Sequence, residues 1–350
     1  MAKTRSMTRS QSHDKDDNDA PWSDLTNDVL YLVMMTLGVI DFVSFSGVCK
    51  SWRSLALCNR KKFMTSRPPM LMQIHNRACK EKWCCYLEDF EGRKFKTLIS
   101  ESNDTRNYVG LTCGYLVFWV VKTNHNHFWL INPITRRQLY SPRVPSCQSC
   151  EMISYPKAIL VFSPFVRGWV FVMIDRHLGQ IWYSIAGKTA WNHVHSNSYF
   201  RDIHAFKGKI YAQSSLGRLY EMSLPNHKLS KLEIGDFGEQ RCIRRYEFVN
   251  FGENLYVSNR DYTDHILYGL DSGKMKPVSL EEKKKLGEYV VFLRYWKHAV
   301  AIKPESWAVD PRSKYKAYDC FRYTKDAGRF FSTEMWYFPH CFVDVDPINK

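Results

Sequence analysis

The sequence predicts a chain of two parts, a short α-helical unit followed by a much longer all-β domain. Apolar residues recur at helical spacing between residues 25 and 57. After Pro69 the apolar spacing changes from about 3.6 residues to about 2, and similar pairs of short strands then recur about every 45 residues. A chain of 350 residues has room for one large domain beside a small one.

The N-terminal tail, residues 1–20, is expected to be disordered. It holds almost no aromatic or β-branched side chains and includes the polar, mainly acidic run Asp14–Asp19. Such a segment cannot bury enough apolar surface to offset the entropy cost of ordering its backbone.

The first helix is predicted from apolar residues that recur every four positions, with two more beside them. Asn27 and Asp28 place polar and negative groups where the free N–H groups of a first helical turn favour them. Gly38 is expected to end this helix as a left-handed cap. The apolar residues are Leu25, Val29, Leu30, Val33, Met34 and Leu37.

Two further helical segments follow at once. Asp41 can N-cap a short helix over Phe42–Val48, and a third helical segment carries Trp52. Arg67–Pro69 ends the region, because proline disfavours helix at its own position and at the one before it. Residues 21–66 therefore form a three-helix unit that is too small to bury its own apolar faces, which indicates a docking device.

Residues 67–345 are predicted to be an all-β domain. Short runs rich in β-branched and aromatic residues alternate there with Gly, Asn, Asp and Pro turns. The predicted strands are Tyr115–Val121, Phe128–Ile131, Ile159–Phe162, Trp169–Ile174, Ile181–Ile185, Lys209–Ala212, Leu219–Met222, Leu255–Val257, Ile266–Leu270, Tyr289–Leu293 and Ala299–Ile302.

A weak internal repeat narrows the choice of fold class for this domain. Tyr211 and Tyr256 occupy matching positions 45 residues apart, and Tyr220 and Tyr268 are 48 residues apart. A period in the forties with several strands per unit is that of a β-propeller blade. The predicted fold class is therefore multidomain, α plus all-β, with a β-propeller-like domain after the helices. A large sandwich or an irregular barrel with similar hairpins is the alternative.

Composition limits the classes of function. The net charge of +15 comes from dispersed Lys and Arg residues, so we expect a generally basic surface that favours acidic proteins over nucleic acid as partners. No apolar run reaches the roughly 20 residues that span a bilayer, and we expect no secretory signal. Eleven scattered cysteines predict free thiols. We expect a soluble protein of the nucleus, the cytoplasm or both, with no membrane partner.

No catalytic or metal-binding constellation stands out. Cys147 and Cys150 form a lone CxxC without the second ligand pair that a zinc site needs. The sequence has no nucleophile elbow, P-loop, dinucleotide fingerprint or H-E-x-x-H motif, so we expect no catalytic residue, no cofactor and no enzyme activity of its own. Two alternating histidine pairs would each share one face of a strand, and they are His125 with His127 and His193 with His195.

The helical segment resembles the F-box. The residues that carry the resemblance are Trp22–Leu25, Asp28–Leu30, Asp41 and Val48–Arg53. In that family the short helices pack against a Skp-type adaptor, which links them to a cullin scaffold. The positions that match the family's apolar contacts, and that the resemblance implies for adaptor binding, are Leu25, Val29, Leu30, Val33, Leu37, Val48, Cys49 and Trp52.

Leu30 and Trp52 are expected among the adaptor contacts, because large buried side chains tend to dominate interfaces. The alternative is that both residues belong to the internal core of the helical unit. Thr26 stands where the family usually has proline, a residue that suits the first helical turn. The basic residue that often precedes the last apolar cluster of the family is also missing.

The rest of the chain resembles plant F-box proteins that carry a KIB-type β-propeller domain. The resembling segments are Arg67–Leu71, Tyr108–Leu116, Leu130–Leu139 and Phe206–Tyr211. The resemblance implies a substrate-recognition subunit of an SCF-type ubiquitin ligase, whose propeller recruits a target protein while other subunits do the covalent chemistry. It names no substrate.

Three other hypotheses stay open. A basic β-propeller binding module, for nucleic acid or an acidic protein, would have no ligase role and a steep salt dependence of nucleic-acid binding. A propeller enzyme would need His and carboxylate side chains that converge from successive repeats. An F-box protein that binds the adaptor but recruits no substrate would have the same sequence features as the leading hypothesis.

Overall fold

The structure, a computed structural model, divides into two compact units, Met1–Arg60 and Lys61–Lys350. The expected disorder of residues 1–20 lies outside the described residues, as do Cys147, Cys150 and His125. The described residues are 22, 25–77, 82–89, 92–100, 105–121, 126–145, 156–162, 169–185, 188–223, 228–231, 233–234, 246–251, 254–260, 265–271, 274–279, 290–292, 299–302 and 332–337.

Three helices come first in the described chain. They are α1 (Asn27–Thr36), α2 (Val39–Gly47) and α3 (Lys50–Thr65). Asp28 lies in the first turn of α1, as expected from the preference of helix N-termini for negative groups. No helix in the described part of the chain is both long and apolar enough to cross a membrane.

Two of the predicted helix caps are wrong. Gly38 has φ −74° and ψ 169°, an extended conformation, so it is the N-cap of α2 and not a left-handed cap of α1. Asp41 lies inside the first turn of α2 instead of capping it. The reason is the burial of Val39: its side chain is packed away from water, and α2 therefore starts three residues earlier than predicted.

The second unit is built from strands. Their bounds are β1 Met70–Arg77, β2 Lys82–Glu88, β3 Lys94–Ser100, β4 Thr105–Thr112, β5 Tyr115–Val121, β6 Asn126–Ile131, β7 Gln138–Tyr140, β8 Lys157–Phe162, β9 Trp169–Asp175, β10 Gln180–Ile185, β11 Asn192–Val194, β12 Phe200–Phe206, β13 Lys209–Ser214, β14 Leu219–Ser223, β15 Lys228–Lys231, β16 Glu233–Ile234, β17 Tyr246–Phe251, β18 Asn254–Arg260, β19 His265–Asp271, β20 Lys274–Pro277, β21 Val290–Phe292, β22 Ala299–Ile302 and β23 Ser332–Tyr337.

The described strands form five sheets, mostly as antiparallel meanders. In the sheets β4–β7, β8–β11 and β12–β15, each strand pairs with the next one along the chain. The meander β17–β20 is extended on one side by β22 and β21 and on the other by the short β16. The pairings of β22 with β17 and of β16 with β20 are parallel.

The first sheet is completed by a strand from far along the chain. β23 pairs antiparallel with β1, so that Tyr337 lies opposite Met70. The Tyr337 side chain is fully buried, and its hydroxyl donates to the carbonyl of Gly114 at 3.3 Å, next to the following sheet. A sheet assembled from both ends of the described strand series is the way a β-propeller closes its ring.

The predicted repeat is confirmed by the strand positions. Tyr211 and Tyr256 lie in the second strands of successive meanders, β13 and β18, and Tyr220 and Tyr268 lie in the third strands, β14 and β19. Every predicted strand overlaps a strand of the structure. The predicted fold class is therefore confirmed, with three N-terminal helices followed by a strand-rich, propeller-like domain.

Apolar cores lie between neighbouring sheets. Val172 and Ile210, from the sheets β8–β11 and β12–β15, belong to one buried cluster. Leu130 and Leu160 belong to a second cluster, which joins the sheets β4–β7 and β8–β11. Packing of this kind gives the sheets β8–β11 and β12–β15 a core on both of their faces, which explains the run of buried residues in β9.

Polar contacts also join neighbouring sheets through their first strands. Lys157 Nζ donates to Asp202 Oδ1 at 2.7 Å and also to the carbonyl of Ile203. His204 Nε2 lies 2.9 Å from Asn250 Oδ1, and burial lowers the pKa of His204 to about 4. The Lys157–Asp202 and His204–Asn250 pairs span 45 and 46 residues, which matches the repeat period.

The cysteines in the described residues carry free thiols. They include the adjacent Cys84 and Cys85, both buried on β2. Burial raises the pKa of the Cys85 thiol to about 12, so this thiol stays protonated and unreactive at neutral pH.

Candidate functional site

The helical unit buries one set of apolar side chains. Leu30 and Met34, four residues apart on α1, have no exposed surface. Phe42 and Phe45, three residues apart on α2, are buried as well. Residues three and four apart lie on the same face of a helix, so α1 and α2 each present one apolar face to a core.

A second set of apolar side chains in the same unit is exposed. Val29, Leu32 and Val33 lie on one face of α1 because their spacing is three and four residues. Val48, just before α3, and Leu57, on α3, are also exposed. We call these five residues the exposed apolar set. Leu32 has 65% of its surface in contact with water, and exposed apolar side chains of this kind mark interaction surfaces when they cluster.

The eight residues predicted to contact an adaptor differ in exposure. Three are exposed, four are half-buried and one is fully buried. Contact with an adaptor stays a prediction for all eight, and only the exposed three offer it a large surface in this conformation. The exposed residues are Val29, Val33 and Val48, the half-buried ones are Leu25, Leu37, Cys49 and Trp52, and the fully buried one is Leu30.

Trp52 contributes to the packing of α3 against α2. Its ring centroid lies 4.5 Å from that of Phe45, with the planes tilted by 31°. Arg53 Nε donates to the carbonyl of Ser46 at 3.2 Å and ties the same two helices together. The Trp52 Nε1 atom is buried and has no hydrogen-bond partner in the described part of the chain. The half-buried indole therefore has a structural role even before any partner binds.

Sequence reasoning missed two members of the exposed apolar set. Leu32 and Leu57 are not among the predicted contacts. Both are large apolar residues that lie outside the buried face of their helix. Leu32 follows Val29 by three residues and therefore lies on the same side of α1. Once Leu30 and Met34 are assigned to the core, the remaining apolar residues of α1 are the signal that identifies an exposed position such as Leu32.

Thr26 has the backbone geometry that the family's proline would impose. It is the N-cap of α1, with φ −62° and ψ 149°, and its side chain makes no capping hydrogen bond. Its carbonyl accepts the first helical hydrogen bond, from the N–H of Leu30 at 3.0 Å. Because proline fixes φ near this value, the helix starts in the same way without it.

The propeller-like domain brings one predicted histidine pair together. The rings of His193 and His195 lie at right angles with centroids 5.0 Å apart, and Trp182 packs on His193 at 4.7 Å. The described residues contain no group of three or more His, Cys, Asp and Glu side chains placed to hold a metal ion.

Comparison with protein families defines the two parts of the chain. Residues 22–63 match the F-box domain, and residues 87–314 match the KIB1-4 beta-propeller. The helices with their exposed apolar set and the series of sheets are thus those of an F-box protein with a propeller domain. The chain belongs to the KIB1-4 beta-propeller family, which confirms the resemblance seen in the sequence.

Solved structures similar to this chain are distant. TolB from Acinetobacter baumannii is 12% identical, with a TM-score of 0.41 over 73% of this chain and 67% of that one. Dipeptidyl peptidase 4 from Porphyromonas gingivalis is 11% identical, with a TM-score of 0.34 over 61% of this chain and 33% of that one. A putative 6-phosphogluconolactonase from Bacteroides fragilis is 14% identical, with a TM-score of 0.34 over 57% of this chain and 64% of that one. Comparison with curated proteins gave no match.

The F-box domain supports a ubiquitin-ligase substrate-adaptor role in general. F-box domains generally bind Skp1-type adaptors in SCF complexes, and F-box proteins are typically non-catalytic receptors. The helical unit is therefore the candidate site for the adaptor, and the propeller domain is the candidate site for a substrate.

Proposed function

We propose that this chain is the substrate-recognition subunit of an SCF-type ubiquitin ligase. Residues 21–66 bind a Skp-type adaptor, the adaptor joins the chain to a cullin scaffold, and residues 67–345 recruit a target protein for ubiquitination. The chain supplies no catalytic group of its own, and it acts in the nucleus, the cytoplasm or both.

The observation that carries this proposal is the exposed apolar set within the residues that match an F-box. Leu32 and Leu57 are each more than half exposed, and Val29, Val33 and Val48 are exposed as well. Burying an aliphatic side chain of this size stabilises a complex by about 1.5 to 3 kcal/mol when it is fully removed from water. Several such side chains on one small unit supply a substantial driving force for docking.

The arrangement of the helices supports docking of a preformed surface. Leu30, Met34, Phe42 and Phe45 are buried within the chain, so the helices do not need a partner to cover these residues. The exposed side chains are presented from helices and from the short link before α3, which limits the conformational entropy lost on binding. A preformed surface of this kind favours stable association.

The propeller domain is suited to hold a substrate because its turns are carried by a rigid frame. Successive sheets share apolar cores and buried polar pairs, and β23 closes the series on β1. Loops held by such a frame are the usual place for binding residues. The exposed apolar set and the propeller turns thus give the chain two separate binding functions.

Co-expression of the full chain with a Skp-type adaptor and a cullin tests the proposal. The wild-type chain is expected to co-purify with both proteins. A chain with Val29→Asp and Val33→Asp should lose both, because two charges would be buried without partners at the docking surface. Leu30→Asp is less informative, since Leu30 is fully buried and its loss would unfold the helix.

The control is Leu216→Asp, which places one negative charge on an exposed apolar residue of the propeller domain. This variant should retain both partners. Co-purification of the adaptor with wild type and the Val29/Val33 variant in equal amounts would show that the helical unit does not dock through this face.

A further inference from the structure

Three turns at one end of the propeller sheets are joined into a single surface. Phe200 N–H, after the β11–β12 connection, donates to the carbonyl of Gly179 in the β9–β10 turn at 2.9 Å. Ser215 N–H, in the β13–β14 turn, donates to the carbonyl of Tyr199 at 2.7 Å. We call the β9–β10 turn, the β11–β12 connection and the β13–β14 turn the three-turn surface. Its backbone hydrogen bonds fix the relative positions of side chains from two neighbouring sheets.

Tyr199 is an exposed aromatic residue with a fixed position on this surface. Its hydroxyl donates to the carbonyls of Arg176 and His177. Its ring lies directly over Gly179, so closely that a Cβ atom at that glycine would come within 2.5 Å of the ring carbon Cγ. Although it is held in this way, about two fifths of the Tyr199 side chain remains exposed. A rigid, half-exposed tyrosine offers contact area at little entropy cost.

Two exposed leucines flank this tyrosine. Leu178, in the β9–β10 turn, and Leu216, in the β13–β14 turn, are both exposed, and Leu216 has 76% of its surface in contact with water. Turns of this kind normally carry polar residues, because their backbone is in water. The three side chains therefore form an apolar rim that the fold of the chain itself does not bury.

A cavity of about 230 Å³ opens beside the rim. Its walls include Gln180, His193 and Asn197, and it also reaches Leu178 and Tyr199. The Nε2 atom of His193 is buried and has no hydrogen-bond partner in the described part of the chain. Buried polar atoms are normally hydrogen-bonded, so this nitrogen marks a place where a bound molecule can supply the missing partner.

The charge around the three-turn surface is positive. Arg176, Arg201 and Arg218 lie on or next to it, and none of them forms a salt bridge within the described residues. The two carboxylates nearby have partners of their own. Asp175 Oδ1 accepts the N–H groups of its own turn, and Asp202 Oδ1 accepts from Lys157 at 2.7 Å. Arg201 and Arg218 are exposed and therefore remain available for acidic groups of a ligand, whereas Arg176 is half-buried and interacts electrostatically with Asp202.

We propose that the three-turn surface binds an acidic segment of a substrate protein, which places one apolar side chain among Leu178, Tyr199 and Leu216. Arg201 and Arg218 contact the acidic residues on either side of that side chain, and the cavity beside His193 takes a polar group of the segment. This inference rests on the proposed substrate-recognition function and names the surface that performs it. A nucleic acid fits the rim less well, because it carries no aliphatic side chain for the two leucines.

Selection of random peptides of about 12 residues, displayed on phage, against the purified full chain tests this assignment. Enriched peptides should share an aliphatic or aromatic residue flanked by Asp or Glu. Synthetic versions should bind with an affinity that falls as salt is raised, because the charge pairs are exposed. Replacing the apolar residue of such a peptide by glycine should weaken its binding by about tenfold.

Variants of the chain locate the binding surface. Arg201→Glu with Arg218→Glu should weaken the selected peptides by at least about tenfold, and so should Leu216→Asp. The control is Lys188→Glu with Lys207→Glu, which makes the same change of charge at the opposite ends of β10 and β12 and should leave binding unchanged. Equal binding by the Arg201/Arg218 variant and this control would overturn the proposal. The proposal would also be overturned if the selected peptides contained no acidic residues. It would be overturned too if single-stranded DNA displaced the peptides from the site that the Arg201/Arg218 variant alters.

Failure of this inference can be told apart from failure of the proposed function. Peptide binding is measured without the adaptor, and adaptor binding is measured without the peptide. Leu216→Asp should lose the peptide and retain the adaptor, whereas Val29→Asp with Val33→Asp should lose the adaptor and retain the peptide.

Discussion

Lys157 Nζ lies 2.7 Å from Asp202 Oδ1 across the boundary between two neighbouring propeller sheets, and the Lys157 side chain is only 4% exposed. The same ammonium donates to the carbonyl of Ile203, so it replaces its lost water with two hydrogen bonds. Removing one partner of a buried pair leaves the other charge without compensation, which costs far more than the pair itself contributes.

Lys157→Met should therefore destabilise the propeller domain by about 3 kcal/mol. Lys209→Met is the matched control, because Lys209 Nζ is also 2.7 Å from a carboxylate, that of Glu221, but its side chain is 54% exposed. An exposed pair contributes at most about 1 kcal/mol. Urea unfolding of both variants compares them, and equal losses of stability would mean that burial of the Lys157 pair does not matter.

His204 makes stability depend on pH. Burial lowers the pKa of His204 to about 4 in the folded chain, below its ordinary value of 6.5, so the unfolded chain binds more protons between these pH values. Stability should be full above about pH 6.5 and should be lost as the pH falls towards 4. The loss at pH 5 should be about 2 kcal/mol.

His204→Gln should flatten this dependence while it retains a side-chain donor for Asn250, whose Oδ1 lies 2.9 Å from His204 Nε2. Urea midpoints at about pH 7.5 and pH 5, for wild type and variant, measure the difference. A wild-type curve no steeper than that of the variant over this range would contradict a neutral, buried His204.

Thr26→Pro should be tolerated at the start of α1. The φ angle of −62° already suits proline, and the Thr26 side chain makes no capping bond that would be lost. A stabilisation of about 0.5 kcal/mol is expected, because proline restricts the unfolded chain. Hydrogen exchange of the α1 amides should slow by about twofold.

Proline at the other end of the same helix supplies the contrast. Thr36→Pro should speed exchange throughout α1, because a helical N–H bond is lost and the ring clashes with the preceding turn. Faster exchange in the Thr26→Pro variant as well would show that the chain cannot adopt the family's helix start.

Gly179→Ala should displace Tyr199. A Cβ atom at this glycine would lie 2.5 Å from the tyrosine ring, and its φ of +63° adds conformational strain. Gly92→Ala provides the control, because Gly92 has a φ of +81° and open space around it. Thermal unfolding should show a loss about 1 kcal/mol greater for Gly179→Ala, since only this variant has a steric clash in addition to strain. Equal losses would mean that Tyr199 moves aside freely.

Much of the fold could be predicted because the strands are locally distinctive. Tyr115–Val121 and Ala299–Ile302 coincide with β5 and β22, since runs of β-branched and aromatic residues favour strands wherever they pack. Twelve of the 23 described strands were not predicted, and β12 is one of them because its Asp202 and His204 look unsuited to a buried strand. Their partners, Lys157 and Asn250, come from sheets about 45 residues away and cannot be read from the local sequence.

The exposed apolar set could be predicted only in part, and the reason differs from that for β12. Apolar residues lie on more than one side of α1, so periodicity alone could not decide whether Leu30 or Leu32 is in the core. In the structure Leu30 is buried and Leu32 is exposed. The helix start at Val39 likewise depends on burial of that side chain and not on the local preference of Asp41 for a cap position.

The most direct test of the central claim is the affinity of the purified full chain for a Skp-type adaptor, measured by calorimetry for wild type, Leu32→Asp and Leu216→Asp. Both variants place the same charge on a strongly exposed leucine, one on α1 and one on the propeller domain. Leu32→Asp should weaken adaptor binding by at least about thirtyfold, and Leu216→Asp should change it by less than about twofold. Equal affinities for wild type and Leu32→Asp would contradict docking through the exposed apolar set.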